Sequence, residues 1–352
     1  EWIEKINKSK SKKFWDGYLE DYESQAEITP IEQVETTPKE QVVDADIIFD
    51  VDTTDKLSSL AKNCNATIST VAQLAVGILL QKHCGTDDVL LGNVVSGRNV
   101  PLHGIENAVG MFINTVPLRI HADRKDETIE GMLRRLQNSN NESVNYDHAA
   151  LGEMKIGGVN VSEYIKHLFV FENYPGTDGD DGIQESVSLE LEMLDAREQT
   201  NYDLAFSAYI QDAKLVFKLS YNPRKFAESN MHVMASHLRV IIEQMASESA
   251  MSVGSIEICD AKERNIILNE FNNTKADYPS DKTIVEMFED QVAKTPDNVA
   301  VVFENESLTY RELNAKANHL AYKLRELGVK PDDFVAMLTE RSLEMIIGIY
   351  GI

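Results

Sequence analysis

Between Val43 and Met245, segments with the two-residue period of a strand alternate with segments that have the 3.6-residue period of a helix. The strand segments are Val43 to Val51, Val89 to Val95, Val109 to Ile120 and residues 165–172. A last pair, Tyr202 to Ile210 and Lys214 to Tyr221, brackets Gln211-Asp212-Ala213 and reads as a hairpin. The helical segments run from a cap at Thr53 or Thr54 to Lys62, from Thr70 to His83, from Thr128 to Asn141 and from Met231 to Met245. Ser69 caps the second of these and Gly85 closes it. Such interleaving predicts an α/β fold, with one sheet covered by helices on at least one side. Ahead of it, residues 1–22 form a helix with Trp2, Ile6, Phe14, Trp15, Tyr18 and Leu19 as its apolar positions. Residues 23–42 are polar, contain Pro30 and Pro38 and show no period, so they read as a linker.

A second pattern begins near Thr283. Residues 247–282 form a connection with some helix inside it, Ala261 to Phe271. There follow a helix (Ile284 to Ala293), a strand pair (Val299 to Phe303, Ser307 to Tyr310), a helix (Arg311 to Leu327) ended by Gly328, a strand (Phe334 to Leu338) and a helix from Ser342. This order predicts the opening of a doubly wound sheet. No glycine-rich phosphate loop follows any of these strands. The divisions are 1–42, 43–250, 251–282 and 283–352.

Composition removes several classes of function. Asp and Glu number 58 against 34 Lys and Arg, a net charge of −24 that repels nucleic acid and anionic membranes. Cys64, Cys84 and Cys259 lie far apart, with neither the spacing of a zinc motif nor a disulfide framework, which fits a reducing cytoplasm. No apolar run has the length of a membrane span. Gly176 to Gly182 is acidic and glycine-rich but lacks the spaced ligands of a calcium loop, and reads as a solvated loop. Both termini read as cuts through a longer chain: Glu1-Trp2-Ile3 is no signal or start, and Ile346 to Ile352 is apolar without a cap.

Two stretches carry a resemblance. Leu308-Thr309-Tyr310-Arg311-Glu312-Leu313-Asn314, set behind Pro296-Asp297-Asn298-Val299-Ala300-Val301, resembles the start of the adenylation domains of nonribosomal peptide synthetases. Val109-Gly110-Met111-Phe112-Ile113-Asn114-Thr115-Val116-Pro117-Leu118-Arg119, preceded by Ser96-Gly97-Arg98, resembles a signature of their condensation domains. Phe14-Trp15, Tyr146-Asp147, Phe171-Glu172-Asn173-Tyr174-Pro175 and Tyr202-Asp203-Leu204 extend that second match. The implied architecture is one chloramphenicol-acetyltransferase-like lobe of a condensation domain, the C-terminal one, followed by the truncated, doubly wound α/β start of an adenylate-forming domain. On this reading 1–42 is an inter-lobe helix and linker, 43–250 the lobe, 251–282 a second linker and 283–352 the adenylation start.

The resemblance also implies chemistry. Condensation domains join a donor and an acceptor, both thioester-linked to carrier proteins, by attack of the acceptor amine on the donor thioester. The family's His-His-x-x-x-Asp-Gly motif belongs to its N-terminal lobe; this sequence has eight histidines and no two are adjacent. No catalytic residue is therefore assigned in this chain, and the other lobe is expected upstream of Glu1. Phe112, Asn114 and Thr115 are candidates for the wall and floor of the substrate tunnel, or equally for a buried strand whose Asn satisfies backbone groups. Ser96-Gly97-Arg98 is read as a sharp bend with an arginine ion pair fixing the lobe. Tyr202 and Asp203 are read as lobe-contact residues ahead of a hairpin that crosses to the other lobe. His103, His121, His148 and His167 are read as ordinary packed or polar residues. No cofactor or metal site is assigned; the implied participants are phosphopantetheine arms of upstream and downstream carrier proteins, with ATP and magnesium confined to a complete adenylation domain. An epimerisation lobe and a non-catalytic docking platform for carrier proteins are the competing readings.

Overall fold

The computed structural model describes residues 6–24, 26–29, 42–100, 102–122, 126–172 and 200–352. Trp2, most of the 23–42 linker, Asn173 to Pro175 and the acidic 176–182 loop lie outside them. The chain forms two compact units, Glu1–Glu270 and Phe271–Ile352.

In the first unit, Asn7 caps helix α1 (Lys8–Tyr18) by accepting from the amides of Ser9 and Lys10. Strand β1 (Val43–Ile48) leads into α2 (Val51–Asn63), whose cap is Asp50 rather than Thr53 or Thr54. Thr67, not Ser69, caps α3 (Ile68–Cys84), and Gly85 ends it in the left-handed conformation, φ 64°. Then come β2 (Asp88–Val95), β3 (Asn114–His121) and α4 (Ile129–Ser143), capped by Thr128. A two-residue pair, β4 (Lys155–Ile156) and β5 (Val159–Asn160), precedes β6 (His167–Glu172). The hairpin β7 (Leu204–Gln211) and β8 (Lys214–Tyr221) turns through Asp212 and Ala213, both at positive φ, and leads to α5 (Glu228–Ser247). A short helix, α6 (Ala261–Asn265), continues as one wide turn to Glu270.

Six strands form one mixed sheet in the order β1-β8-β7-β6-β2-β3. β2, β6 and β7 run parallel, and the remaining pairs are antiparallel. Alternation decides which side chains meet the helices. Val89 and Leu91, Leu204 and Phe206, and Phe217 and Leu219 join α2, α3, α4 and α5 in the main core. Leu90, between two of these, joins a second cluster with Trp15, Leu19 and Tyr22 on the other side. Every residue of α3 from Thr70 to Gln81 is buried, so this helix has no solvent face to be legible as a stripe. Arg119 ties α1 to the sheet: its guanidinium grips Asp88 in two-pronged fashion (2.7 to 3.1 Å) and donates to the carbonyls of Tyr18 and Glu20.

Two further sequence expectations are corrected. Strand β3 starts at Asn114, and Val109 to Ile113 lie outside the ladder, because β2 ends at Val95 opposite Asn114 and offers no further partner. The β7–β8 hairpin supplies two interior strands of the sheet, between β1 and β6. The first unit reaches Glu270 rather than 250, because Val253 and Ile256 are buried in its core, and the 1–42 segment contributes Trp15 and Leu19 to it.

The second unit holds α7 (Ile284–Lys294), the antiparallel pair β9 (Val299–Phe303) and β10 (Glu306–Thr309), α8 (Tyr310–Glu326) and α9 (Leu343–Gly351). Thr283 with Glu286 and Thr309 with Glu312 form complete capping boxes. Its core is small: Phe288, Leu308, Leu313 and Leu343. Phe334 to Leu338 forms no strand, and both end residues are fully exposed. A strand exists only with a ladder partner, and none is present among the described residues.

Candidate functional site

The site grows from the end of β2. Past Val95 the chain leaves the ladder at Ser96, whose Oγ accepts from the Arg98 amide (3.4 Å). It turns at Gly97 with φ 65°. A Cβ here would lie 1.8 Å from the carbonyl oxygen of Phe112, so both conformation and space demand glycine. Arg98 reaches the same loop. Its Nη1 donates to the carbonyls of Ile105 and Ala108, and its guanidinium lies 4.5 Å from the centre of the Phe112 ring. Its described partners are thus carbonyls and a ring, not the carboxylate expected from sequence; the ion pair that fixes the sheet is Arg119–Asp88.

Asn114 bridges to a second loop. Its Nδ2 donates to the carbonyls of Asp147 (2.7 Å) and Ala149 (2.9 Å). Between them these bonds set the position of Asp147, which is only 2% exposed. Neither of its carboxylate oxygens makes a well-formed hydrogen bond among the described residues. Burial pushes its pKa above the usual carboxylate range, against the pull of the nearby Asn99 side chain and of His148. Leu102, Met111, Phe112, Asn114 and Asp147 line a cavity of about 430 Å³. A neighbouring cavity of about 210 Å³ is lined by Lys12, Trp15 and Met154, and His148 and Ala150 border both. Val109, Met111 and Ile113, beside the larger cavity's mouth, are 103%, 96% and 66% exposed. An apolar rim and a buried carboxyl suit a ligand that is mostly aliphatic with a few polar groups.

The structure brings together Gly97, Arg98, Phe112 and Asn114, with Ser96 at their edge. Thr115 pairs with Val94 and its methyl packs over Gly92, one step inside the sheet. Tyr202 and Asp203 lie elsewhere. The parallel registers place Gly92, Leu168 and Ala205 on one level, so Asp203 sits at the opposite end of the strands from Val95, about 16 Å away along them. Asp203 closes the turn after β8 by accepting from Asn222 (2.9 Å) and Lys225 (2.5 Å). Burial opposes its ionisation, but these bonds and the charge of Lys225 outweigh that and hold its pKa low. The sequence marked Asp147 only as part of the Tyr146-Asp147 match; its place in the site comes from its burial and from the bonds that Asn114 makes to its carbonyl and that of Ala149.

Comparison with known proteins follows the same division. Residues 1–268 match the family model described as condensation domain, and residues 288–352 match that of AMP-binding enzyme. Bacitracin synthase 1 of Bacillus licheniformis is 36% identical over the whole chain, which spans 7% of it. Tyrocidine synthase 2 of Brevibacillus parabrevis is 35% identical, with 100% of this chain and 10% of that protein covered. Among solved structures, a four-domain nonribosomal peptide synthetase bound to AMP and glycine matches 99% of this chain and 27% of its own at a TM-score of 0.74 and 18% identity. The condensation domain of the monacolin K polyketide synthase matches 71% and 60%, with a TM-score of 0.53 and 13% identity. At these identities the structures speak for the fold.

Proposed function

Since the chain belongs to the condensation-domain family, with the start of an AMP-binding enzyme behind it, we propose that its first unit is one lobe of a peptide-bond-forming condensation domain. The carrying observation is the cavity between the loops of Phe112 and Asp147. Its apolar wall takes the aliphatic stretches of a phosphopantetheine arm, and Asp147 meets an amide of the arm. Gly97, Arg98 and Asn114 act as positioning residues: they hold the two loops that form the wall. A companion lobe contributes the histidine pair that positions or deprotonates the acceptor amine, for which a group titrating near working pH is suited. The exposed Val109, Met111 and Ile113 supply apolar surface for that lobe. Carrier proteins upstream and downstream deliver the two thioesters, and proximity supplies much of the acceleration. ATP and magnesium serve only an adenylation domain longer than residues 283–352.

The test combines this chain, a separately produced companion lobe and two aminoacyl-loaded carrier proteins. Dipeptidyl thioester forms in the full mixture and not when the companion lobe is left out. Amide formation by this chain with the carriers alone would overturn the reading.

A further inference from the structure

Far along the sequence from the cavity, three chemically different metal-binding groups converge on α5. His237 lies on that helix and is 5% exposed. The ligand atoms of His237, Cys259 and Glu263 all lie within 4.8 Å of one another. Glu263 accepts from His237 Nε2 at 2.7 Å. The other nitrogen of His237, Nδ1, lies 2.9 Å from Nε2 of His83, which comes from the last turn of α3.

The chain that carries Cys259 and Glu263 is held in place on both sides. Gln244 of α5 brackets Glu257, donating to its carbonyl (2.7 Å) and accepting from its amide (3.2 Å). Asp260 caps α6 through the amide of Glu263 (2.7 Å) and takes a bond from Ser236, the residue before His237 (3.2 Å). Backbone and helix thus set the three groups around one point before any ion arrives. A surface cavity of about 370 Å³, lined by Gln244, Glu257 and Cys259, leaves the thiol a path to solvent.

We propose that His237, Cys259 and Glu263 form a zinc site, with His83 as the group that orients His237. Imidazole, thiolate and carboxylate at about 2.0–2.3 Å from a common centre are a zinc donor set, and a water completes a tetrahedron. Without metal, His237 Nε2–H donates to Glu263 and Nδ1 accepts from His83. On binding, the Nε2 lone pair goes to zinc, and Nδ1–H donates to His83 Nε2; both imidazoles change tautomer and stay neutral. Cys259 loses its thiol proton to solvent, so one proton is released per zinc bound to thiolate, carboxylate and imidazole. The ion then clasps residues 257–265 to α5, at the end of the first unit and ahead of Phe271, where the second begins.

The experiment uses the full chain, reduced and stripped of metal by chelation, titrated with Zn²⁺ and with Co²⁺. One equivalent of Co²⁺ gives a sulfur-to-cobalt charge-transfer band and the intense visible bands of tetrahedral cobalt, and Zn²⁺ displaces it. Zn²⁺ slows hydrogen exchange across residues 257–265. Cys259→Ser, which replaces one atom, abolishes the charge-transfer band and the exchange protection, while Cys84→Ser leaves both. His83→Phe lowers Zn²⁺ affinity by about 10- to 100-fold, as loss of an orienting partner does. A charge-transfer band that survives in Cys259→Ser, or binding that neither Cys259→Ser nor His83→Phe weakens, overturns the proposal and leaves a hydrogen-bonded cluster only. Thermal unfolding of metal-free Cys259→Ser at the wild-type temperature shows that loss of binding is not loss of fold.

Discussion

Two positions set the shape of the cavity and make opposite kinds of demand. Gly97 is constrained by space: its left-handed φ alone costs another residue about 1–2 kcal/mol, and an added Cβ meets a backbone oxygen at 1.8 Å. Gly97→Ala is therefore expected to displace the 105–112 loop, lower amide formation in the two-lobed domain by tenfold or more, and leave the unit folded by circular dichroism. Wild-type activity in that variant would show that the loop does not shape the site. Asn114 is constrained by bonding. Replacing it by Ala removes two hydrogen bonds, about 1–3 kcal/mol, and frees the loop that presents Asp147. Asn114→Ala should lower the rate more than His148→Ala, since Asn114 holds the backbone on either side of His148 and keeps the loop in place when that side chain is cut back. Equal effects in a carrier-to-carrier assay would contradict the positioning role.

Among the elements, β6 is the informative one. It lies between β2 and β7 in the parallel part of the sheet, and its first residue, His167, is 2% exposed. Burial lowers the pKa of His167 to about 4 from 6.5; Asp203 opposes this and Lys166 adds to it. The folded state thus holds a neutral imidazole, and between pH 6.5 and 4 the unfolded chain binds the extra proton. Stability is full above pH 6.5 and falls as pH falls through that window. The loss on going from about pH 7 to about pH 5 is on the order of 2 kcal/mol from this one group. His167→Gln should flatten that part of the profile in urea unfolding; an unchanged slope would place the acid sensitivity elsewhere. The β7–β8 hairpin is legible from its alternation, yet that pattern does not say which strands flank it in the sheet.

At the scale of the whole chain, the two units differ in how much they bury. The first has a continuous core from Ala26 to Ile256, and the second has five buried apolar residues, Phe288, Leu308, Leu313, Ala317 and Leu343. Residues 271–282 are exposed and carry neither helix nor strand. Trypsin is expected to cut first at Lys275 or Lys282 and to leave a product ending at one of these residues, identifiable by mass. First cleavage at Lys262 or Arg264 would contradict a first unit that extends to Glu270. The second unit should also show no amino-acid-dependent exchange of ATP with pyrophosphate, since no glycine-rich phosphate loop follows its strands. This chain spans 5% to 14% of the synthetases it resembles, so activities of those whole proteins are tested only with the remaining domains restored.

Local periodicity was enough to determine the α/β class, nearly all the elements and the hairpin turn. These features depend on neighbours within a few residues, and the chain itself carries that information. The motif around Asn114 pointed to the family in the same way. Tertiary structure alone decided three matters. Residues 109–113 are a loop because pairing requires a partner strand, and β2 stops at Val95. Tyr202 and Asp203 stand apart from Arg98 and Phe112 because parallel register puts them at the other end of the sheet. Asp147, His237, Cys259 and Glu263 gain their chemistry from burial and convergence, and those depend on distances in space that no local pattern records.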